Sequence, residues 1–112
     1  MTVLDLAEWL KAEVLVVGEG SHRAIRRVVA SDLMSDVLLV DDEDMLLLTS
    51  LASDQVLRTA QIVGAVGVIV VNGKALPSSM VAVANDLRLT LATCSLPKYE
   101  ACVAVARALS AL

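Results

Sequence analysis

Residues 66–71 read V-G-V-I-V-V, a run that contains no polar side chain. Uniform apolarity of this kind is typical of a strand that is covered on both faces, as in the middle of a parallel sheet. Apolar runs at 45–49 and 89–92 predict one strand before it and one strand after it in the chain. The second half of the chain is therefore expected to supply the core of a sheet.

Helix signals separate these strands. Ser53 is placed to cap a helix that extends to about residue 64. Pro77 lies in the first turn of a helix that reaches about residue 87, and Pro97 opens a last helix that runs to the C-terminus. Strands that alternate with helices of this length are joined by right-handed crossovers. The pattern predicts a βαβαβα unit with a parallel sheet.

The first half is less regular. Residues 2–12 have helical spacing, and Thr2 is placed to cap this helix together with Asp5. The apolar run at 14–17 and the β-rich stretch at 25–30 indicate short strands, and 31–40 indicates a short helix or turn. The fold class predicted for residues 1–112 is a single α/β domain of three layers, with a small, mostly parallel sheet.

Composition limits the classes of protein. The chain is 57% apolar, yet its longest apolar run, 62–71, is half the length of about 20 residues that a spanning helix needs. Asp5 and Glu8 stand where a secretory signal has positive charge, so we expect a soluble, cytoplasmic protein without a membrane partner. A net charge of -4 with one Trp and one Tyr argues against nucleic acid as a partner.

No metal or cofactor is predicted. Cys94 and Cys102 are eight residues apart, which matches no zinc or iron-sulfur spacing. The acids at 41–44 lack the alternating ligand pattern of a calcium loop and are expected to form a solvated turn.

The last helix carries more apolar surface than one sheet can cover. Between residues 101 and 111 its only charged side chain is Arg107. One apolar stripe consists of Tyr99, Cys102, Val103, Ala106 and Leu109, and a second consists of Ala101, Ala104, Ala108 and Ala111. Because a helix that is apolar all round is buried all round, we expect a homodimer, with the alanine stripe as its interface.

Small polar residues follow all three strands of the second half. Ligands of parallel α/β sheets bind beyond the carboxyl ends of the strands, beside helix N-termini. The candidate ligand-binding residues are Thr49, Ser50, Asp54, Asn72, Gly73, Lys74, Ser78 and Thr93. A Walker-type phosphate loop is excluded, because Ala75 follows Lys74 and the first glycine is missing. The favoured interpretation of N-G-K is an ordinary turn, and a weaker anion site is the alternative.

The basic residues near His22, the G-E-G stretch and Cys94 do not form a recognisable site. His22, Arg23, Arg26 and Arg27 form a basic cluster that is better explained as a solvated edge, and G-E-G at 18–20 lacks the third glycine of a dinucleotide fingerprint. Cys94 lies at a strand end, but no Asp or Asn completes a triad with the single histidine. We therefore predict no catalytic residues.

The chain resembles the DRTGG domain family from residue 29 to its end. The likeness rests on V-A-S-D-L-M-S-D-V-L at 29–38, L-L-L-T-S at 46–50, G-V-I-V-V-N-G-K-A-L-P at 67–77 and L-A-T-C-S-L-P-K-Y-E at 91–100. The chain departs from the family name in two places, with Asp54-Gln55 for Asp-Arg and Asn72-Gly73-Lys74 for Thr-Gly-Gly. Because Gln55 replaces the family arginine, this chain lacks the residue for any role that depends on that arginine.

The resemblance implies a fold like the N-terminal domain of HPr kinase and a non-catalytic role. DRTGG domains are accessory segments in phosphotransacetylases and pyrophosphatases, and small stand-alone members are associated with iron-hydrogenase or redox gene groups. We expect a dimeric regulatory or assembly module, accessory to a redox, hydrogenase or metabolic system and contacting a protein partner. The alternatives are a small-anion or nucleotide sensor at the strand ends and, more remotely, a cysteine-dependent enzyme.

Overall fold

Five strands and five helices alternate through residues 1–110, the part of the chain that the computed structural model describes. The strands are β1 (Glu13–Val16), β2 (Arg27–Ala30), β3 (Met45–Thr49), β4 (Gly67–Val70) and β5 (Thr90–Thr93). The helices are α1 (Val3–Leu10), α2 (Met34–Val37), α3 (Asp54–Ile62), α4 (Ser78–Leu87) and α5 (Lys98–Ser110). A short 3₁₀ helix, Glu19–His22, lies between β1 and β2.

All five strands form one sheet in the order β1-β5-β4-β3-β2. Strands β2 to β5 are parallel, and β1 pairs with β5 in the antiparallel direction. The predicted strand 66–71 is β4, in the centre of the sheet, and all of its residues are buried. The predicted fold class, a three-layer α/β domain with a small, mostly parallel sheet, is confirmed.

The two faces of the sheet are covered by different helices. Val68 and Val70 of β4 belong to a core formed with α2, α3 and α4. Ile69 and Val71 point to the other core, which is formed with α1 and α5. This alternation along one strand explains why it has no polar residue, since each face is buried beneath helices.

Helix α1 is capped as predicted, whereas Ser53 occupies the N-cap position of α3 without a capping hydrogen bond from its side chain. Thr2 and Asp5 form the predicted capping box, in which the Asp5 amide donates to Thr2 Oγ1 over 3.2 Å and the Thr2 amide donates to Asp5 Oδ2 over 3.0 Å. Helix α3 ends at Ile62, two residues earlier than predicted. Gly64 then adopts a φ of 71°, a left-handed conformation that is easiest for glycine and that directs the chain into β4.

The G-E-G stretch has a packing role. The amide of Gly18 donates to Thr90 Oγ1 over 2.9 Å. A Cβ atom at Gly18 would lie 2.2 Å from the Arg88 carbonyl oxygen, so only glycine lets the two backbones approach this closely. This contact lies at the amino end of β5, away from the strand ends where ligands are expected.

Candidate functional site

The carboxyl ends of β3, β4 and β5 lie side by side, as the predicted site requires. Thr49 of β3 is paired with Val70 of β4, and Val70 is paired with Thr93 of β5. The polar residues that follow these strands are therefore brought to one edge of the sheet. Their side chains do not converge on one point, because most of them already bind neighbouring groups of the protein.

Thr49 and Ser50 bind Asp32, a carboxylate just after β2 that was not predicted as a site residue. Thr49 Oγ1 donates to Asp32 Oδ1 over 2.9 Å, and the Ser50 amide donates to the same oxygen over 2.7 Å. The Ser50 hydroxyl and the Lys98 ammonium donate to Asp32 Oδ2. Each carboxylate oxygen thus accepts two hydrogen bonds. We call Asp32, Thr49, Ser50 and Lys98 the Asp32 cluster.

The environment of Asp32 favours its ionised form. Burial raises the pKa of its carboxyl, but the hydrogen bonds from Lys98, Ser50 and Thr49 outweigh burial and hold the pKa well below its ordinary value of 3.8. A carboxylate with such a low pKa is a weak base, because an efficient general base has a pKa near the working pH. Asp32 is therefore poorly suited to remove the proton from the Ser50 hydroxyl.

The sequence contains a signal for Asp32 that was not used. Ser31-Asp32 follows an apolar β-rich stretch in the same way that Thr49-Ser50 follows β3. Because Ala30 of β2 is paired with Leu48 of β3, the residues after the two strands become neighbours. A fourth parallel strand assigned to 27–30 would have placed Asp32 at this edge.

The N-G-K stretch begins with a turn at Asn72 and Gly73. Asn72 and Gly73 have φ angles of 71° and 62°. The Asn72 amide donates to the Leu96 carbonyl over 2.8 Å, and the Gly73 amide donates to the Cys94 carbonyl over 2.9 Å. These N–H groups are thus already used within the protein. Asn72 Oδ1 accepts from the Lys98 amide over 3.0 Å and so caps the start of α5.

Lys74 lies in a separate depression of about 530 Å³ beside β1 and β5. Lys11, Thr93 and Ser95 also line it, and Glu13 is its acidic member. Neither lysine forms an ion pair within residues 1–110. The Thr93 hydroxyl donates to the Lys74 carbonyl over 3.2 Å, which fixes the backbone that carries the lysine.

The remaining ligand candidates lie at helix starts. Asp54 and Ser78 are the first residues of α3 and α4. Asp54 Oδ1 accepts from the hydroxyl of Ser79 over 3.3 Å, so the two helices are joined at their N-termini. The predicted set is therefore divided into the Asp32 cluster, the N-G turn, the Lys74 depression and this helix contact.

The alanine stripe of α5 faces inward, contrary to its predicted role as an interface. Ala101 and Ala108 are fully buried against the sheet of their own chain, and Ala104 is partly buried. The small side chains allow the helix to lie close to the strands. Ala111, the fourth interface candidate, lies outside the described residues. Ala106 of the other stripe is exposed, and so is Tyr99, of which 76% is accessible.

The cysteine and histidine candidates lie at opposite ends of the sheet. Cys94 follows the carboxyl end of β5 and is buried. His22 ends the 3₁₀ helix that packs near the amino end of β5, and it is exposed. This separation gives Cys94 no imidazole base.

The fold has a known counterpart. No family model matches the chain, and no curated protein matches it at a significant level. A solved structure of the CBS and DRTGG domains of the regulatory region of Clostridium perfringens pyrophosphatase, complexed with the activator diadenosine tetraphosphate, matches with a TM-score of 0.71. The match covers 93% of this chain and 45% of that chain at 13% identity. At this identity the likeness shows the fold alone, and membership of the DRTGG family stays a prediction.

Residues 1–110 contain neither a candidate membrane span nor a candidate metal site. The described helices include none that is long and apolar enough to cross a membrane. No three His, Cys, Asp or Glu side chains in that range are grouped so that they could hold a metal ion. The cytoplasmic location stays a prediction.

Proposed function

We propose that the chain is a non-catalytic regulatory module that acts as a homodimer. The observation that carries this proposal is the Asp32 cluster. At the edge where α/β enzymes place their reactive groups, the hydroxyls of Thr49 and Ser50 bind Asp32 and help to hold it ionised and weakly basic. The matching fold comes from a region of the pyrophosphatase that is described as regulatory. A redox, hydrogenase or metabolic system is the context that the DRTGG resemblance implies.

An activity screen tests the non-catalytic part. The chain should not turn over acyl-phosphates or nucleotides above the uncatalysed rate. Purified Ser50→Ala and Lys74→Ala variants serve as controls, because each removes the hydroxyl or amine on which a reaction at this edge would depend. Turnover by the unaltered chain that either variant abolishes would overturn the proposal.

The proposed dimer interface is the apolar groove between β2 and α5. Val28, Ala30, Leu48, Cys102, Val105, Ala106 and Leu109 line this groove, which has a volume of about 190 Å³. Strand β2 is at the edge of the sheet, so its outer backbone groups pair with no strand among the described residues. A second copy placed here would cover the groove and the exposed stripe of α5 together.

Light scattering at micromolar concentration tests the dimer. The unaltered chain should have twice the chain mass, and Ala106→Glu should be a monomer, because it places a charge in the apolar interface. Ala82→Glu is the matched control, since Ala82 is also an exposed alanine inside a helix, on the opposite face of the sheet. A monomeric unaltered chain, or equal masses for the two variants, would contradict this interface.

A second candidate function is the sensing of a small anion or nucleotide at the Lys74 depression. Lys11 and Lys74 are the observation that favours it, because two lysines without ion pairs in residues 1–110 line one hollow. A ligand that binds the folded state raises the melting temperature. Phosphate, acetyl phosphate and adenine nucleotides should be screened with Lys74→Ala, and with Arg107→Ala as the control. If no compound raises the melting temperature, or if the Lys74→Ala variant shows the same rise, this site is contradicted.

A further inference from the structure

The amino ends of β3 and β4 carry an exposed apolar surface that the fold does not use. Leu38 and Leu39 follow α2, and Ile62 ends α3. Their exposed fractions are 49%, 80% and 74%. Leu38 and Ile62 line a depression of about 600 Å³, whereas the depression that contains Lys74 lies beside the carboxyl ends of β4 and β5. Large aliphatic side chains exposed together are typical of an interaction surface.

The rim of this depression is acidic. Residues 41–44, which lead into β3, read D-D-E-D and line it. Two of these acids are paired, because Arg27 binds Asp42 and Arg23 binds Asp44. Asp41 and Glu43 form no ion pair within residues 1–110. Arg26 borders the same loop on its β2 side.

The charge of the rim decides which kind of partner fits. A second copy bound through the same surface would bring two acidic loops together in a chain of net charge -4, which like-charge repulsion disfavours. Nucleic acids and anionic membranes are repelled by the same acids. A segment with apolar residues for Leu38, Leu39 and Ile62 and with Lys or Arg beside them complements both parts of the surface.

We propose that Leu38, Leu39, Ile62 and the 41–44 loop form a docking surface for a basic, amphipathic segment of another protein. We call it the acidic docking surface. The proposal deepens the proposed function, on which it rests, because a regulatory module needs a surface for the protein that it regulates. It uses residues that are separate from both the dimer groove and the Lys74 depression.

A defined peptide tests the surface. An amphipathic peptide of leucine and lysine in helical spacing is titrated into ¹⁵N-labelled chain, and the amide shifts are followed by NMR. Saturable shifts should be confined to residues 38–44 and 62–64. A peptide with glutamate in place of every lysine should cause no shifts. Shifts spread over the whole surface, or no saturable shifts, would overturn the proposal.

Variants separate the apolar part from the acidic part. Ile62→Ser should weaken peptide binding about tenfold, the effect expected for an aliphatic side chain that is buried on binding. The double variant Asp41→Lys, Glu43→Lys should weaken it by about tenfold as well and reduce its salt dependence. Val17→Ser and the double variant Glu8→Lys, Asp86→Lys are the matched controls, since all three residues are exposed and lie outside the surface.

The charge control defines a result that would contradict the proposal. Equal loss of affinity in the double variant at Glu8 and Asp86 and in the double variant at Asp41 and Glu43 would show attraction by net charge alone. Light scattering of the same samples keeps this test distinct from the dimer, because a monomeric chain that binds the peptide at 38–44 supports docking while it contradicts the dimer.

Discussion

The two ends of the parallel strands differ in how their polar groups are satisfied. At the carboxyl ends, Asp32 accepts four hydrogen bonds from Thr49, Ser50 and Lys98. At the amino ends, Asp41 and Glu43 are exposed beside exposed aliphatic side chains. At the end where a ligand site was expected, the Asp32 carboxylate is therefore bound by its own chain, whereas at the end predicted as a solvated turn two acids form no ion pair within residues 1–110.

Asp32→Asn should cause the largest loss of stability in this comparison. The amide nitrogen of asparagine cannot accept a hydrogen bond, so two of the donors at Oδ2 or Oδ1 lose their acceptor and Lys98 loses its counter-charge. We expect the free energy of unfolding to fall by about 2 kcal/mol. Urea denaturation followed by the fluorescence of Trp9, the single tryptophan, measures this change. Unchanged stability would mean that the Asp32 cluster does not hold the edge together.

The Asp32 carboxylate should also contribute to the pH dependence of stability. The pKa of Asp32 is depressed in the folded state, so its contribution is present above the unfolded pKa, near 3.8, and is lost as the pH falls through the lower folded pKa. Stability should therefore decline below about pH 4, and the decline should be shallower in Asp32→Asn. The hydrogen bonds from Thr2 also lower the pKa of Asp5, which adds a slope that both proteins share. Identical slopes would contradict the assignment to Asp32.

Lys98→Met should have a smaller effect than the loss of Asp32. The Lys98 side chain is half-exposed, and ion pairs in such positions contribute about 1 kcal/mol or less. The Asn72 side chain still caps α5 through the backbone amide of residue 98, so the helix start is kept. Thermal unfolding at low and high salt measures the effect, which should shrink as salt screens the pair. A loss of stability as large as that of Asp32→Asn would mean that the ion pair alone accounts for the stability contributed by the Asp32 cluster.

Leu39→Ser should have the smallest effect. Four fifths of this side chain is exposed, so its replacement removes little buried surface, and we expect a change within about 0.5 kcal/mol. The same denaturation experiment checks it. A loss near that of Asp32→Asn would mean that Leu39 packs within the fold and is not available for docking.

The sequence was sufficient for the second half of the fold because its signals are strong and local. The uniformly apolar β4, the prolines before α4 and α5, and the strand β3 at 45–49 all lie where they were predicted. The pairing of β1 with β5 could not be predicted in the same way, since it joins residues such as Glu13 and Thr93 that are far apart in the chain and depends on the whole sheet.

The misassigned face of α5 has a physical cause. Helical spacing separates two apolar stripes, but it does not tell which of them faces the sheet. The larger side chains were assigned to the core, whereas the structure buries Ala101, Val105 and Ala108. The choice depends on the space between α5 and the strands, which only the packed structure fixes. Asp32 was missed for a related reason, since its partners come from β3 and α5.

The central claim is that the side chains at the carboxyl ends of the strands bind one another. A double-mutant cycle between Asp32 and Ser50 tests this claim most directly. The free energies of unfolding are measured for the unaltered chain, Asp32→Ala, Ser50→Ala and the double variant, because alanine leaves no group that can bind the partner side chain. The account predicts a coupling of about 1 kcal/mol, because the two side chains bind each other. Coupling near zero, or single variants more stable than the unaltered chain, would contradict it and indicate residues kept for a ligand.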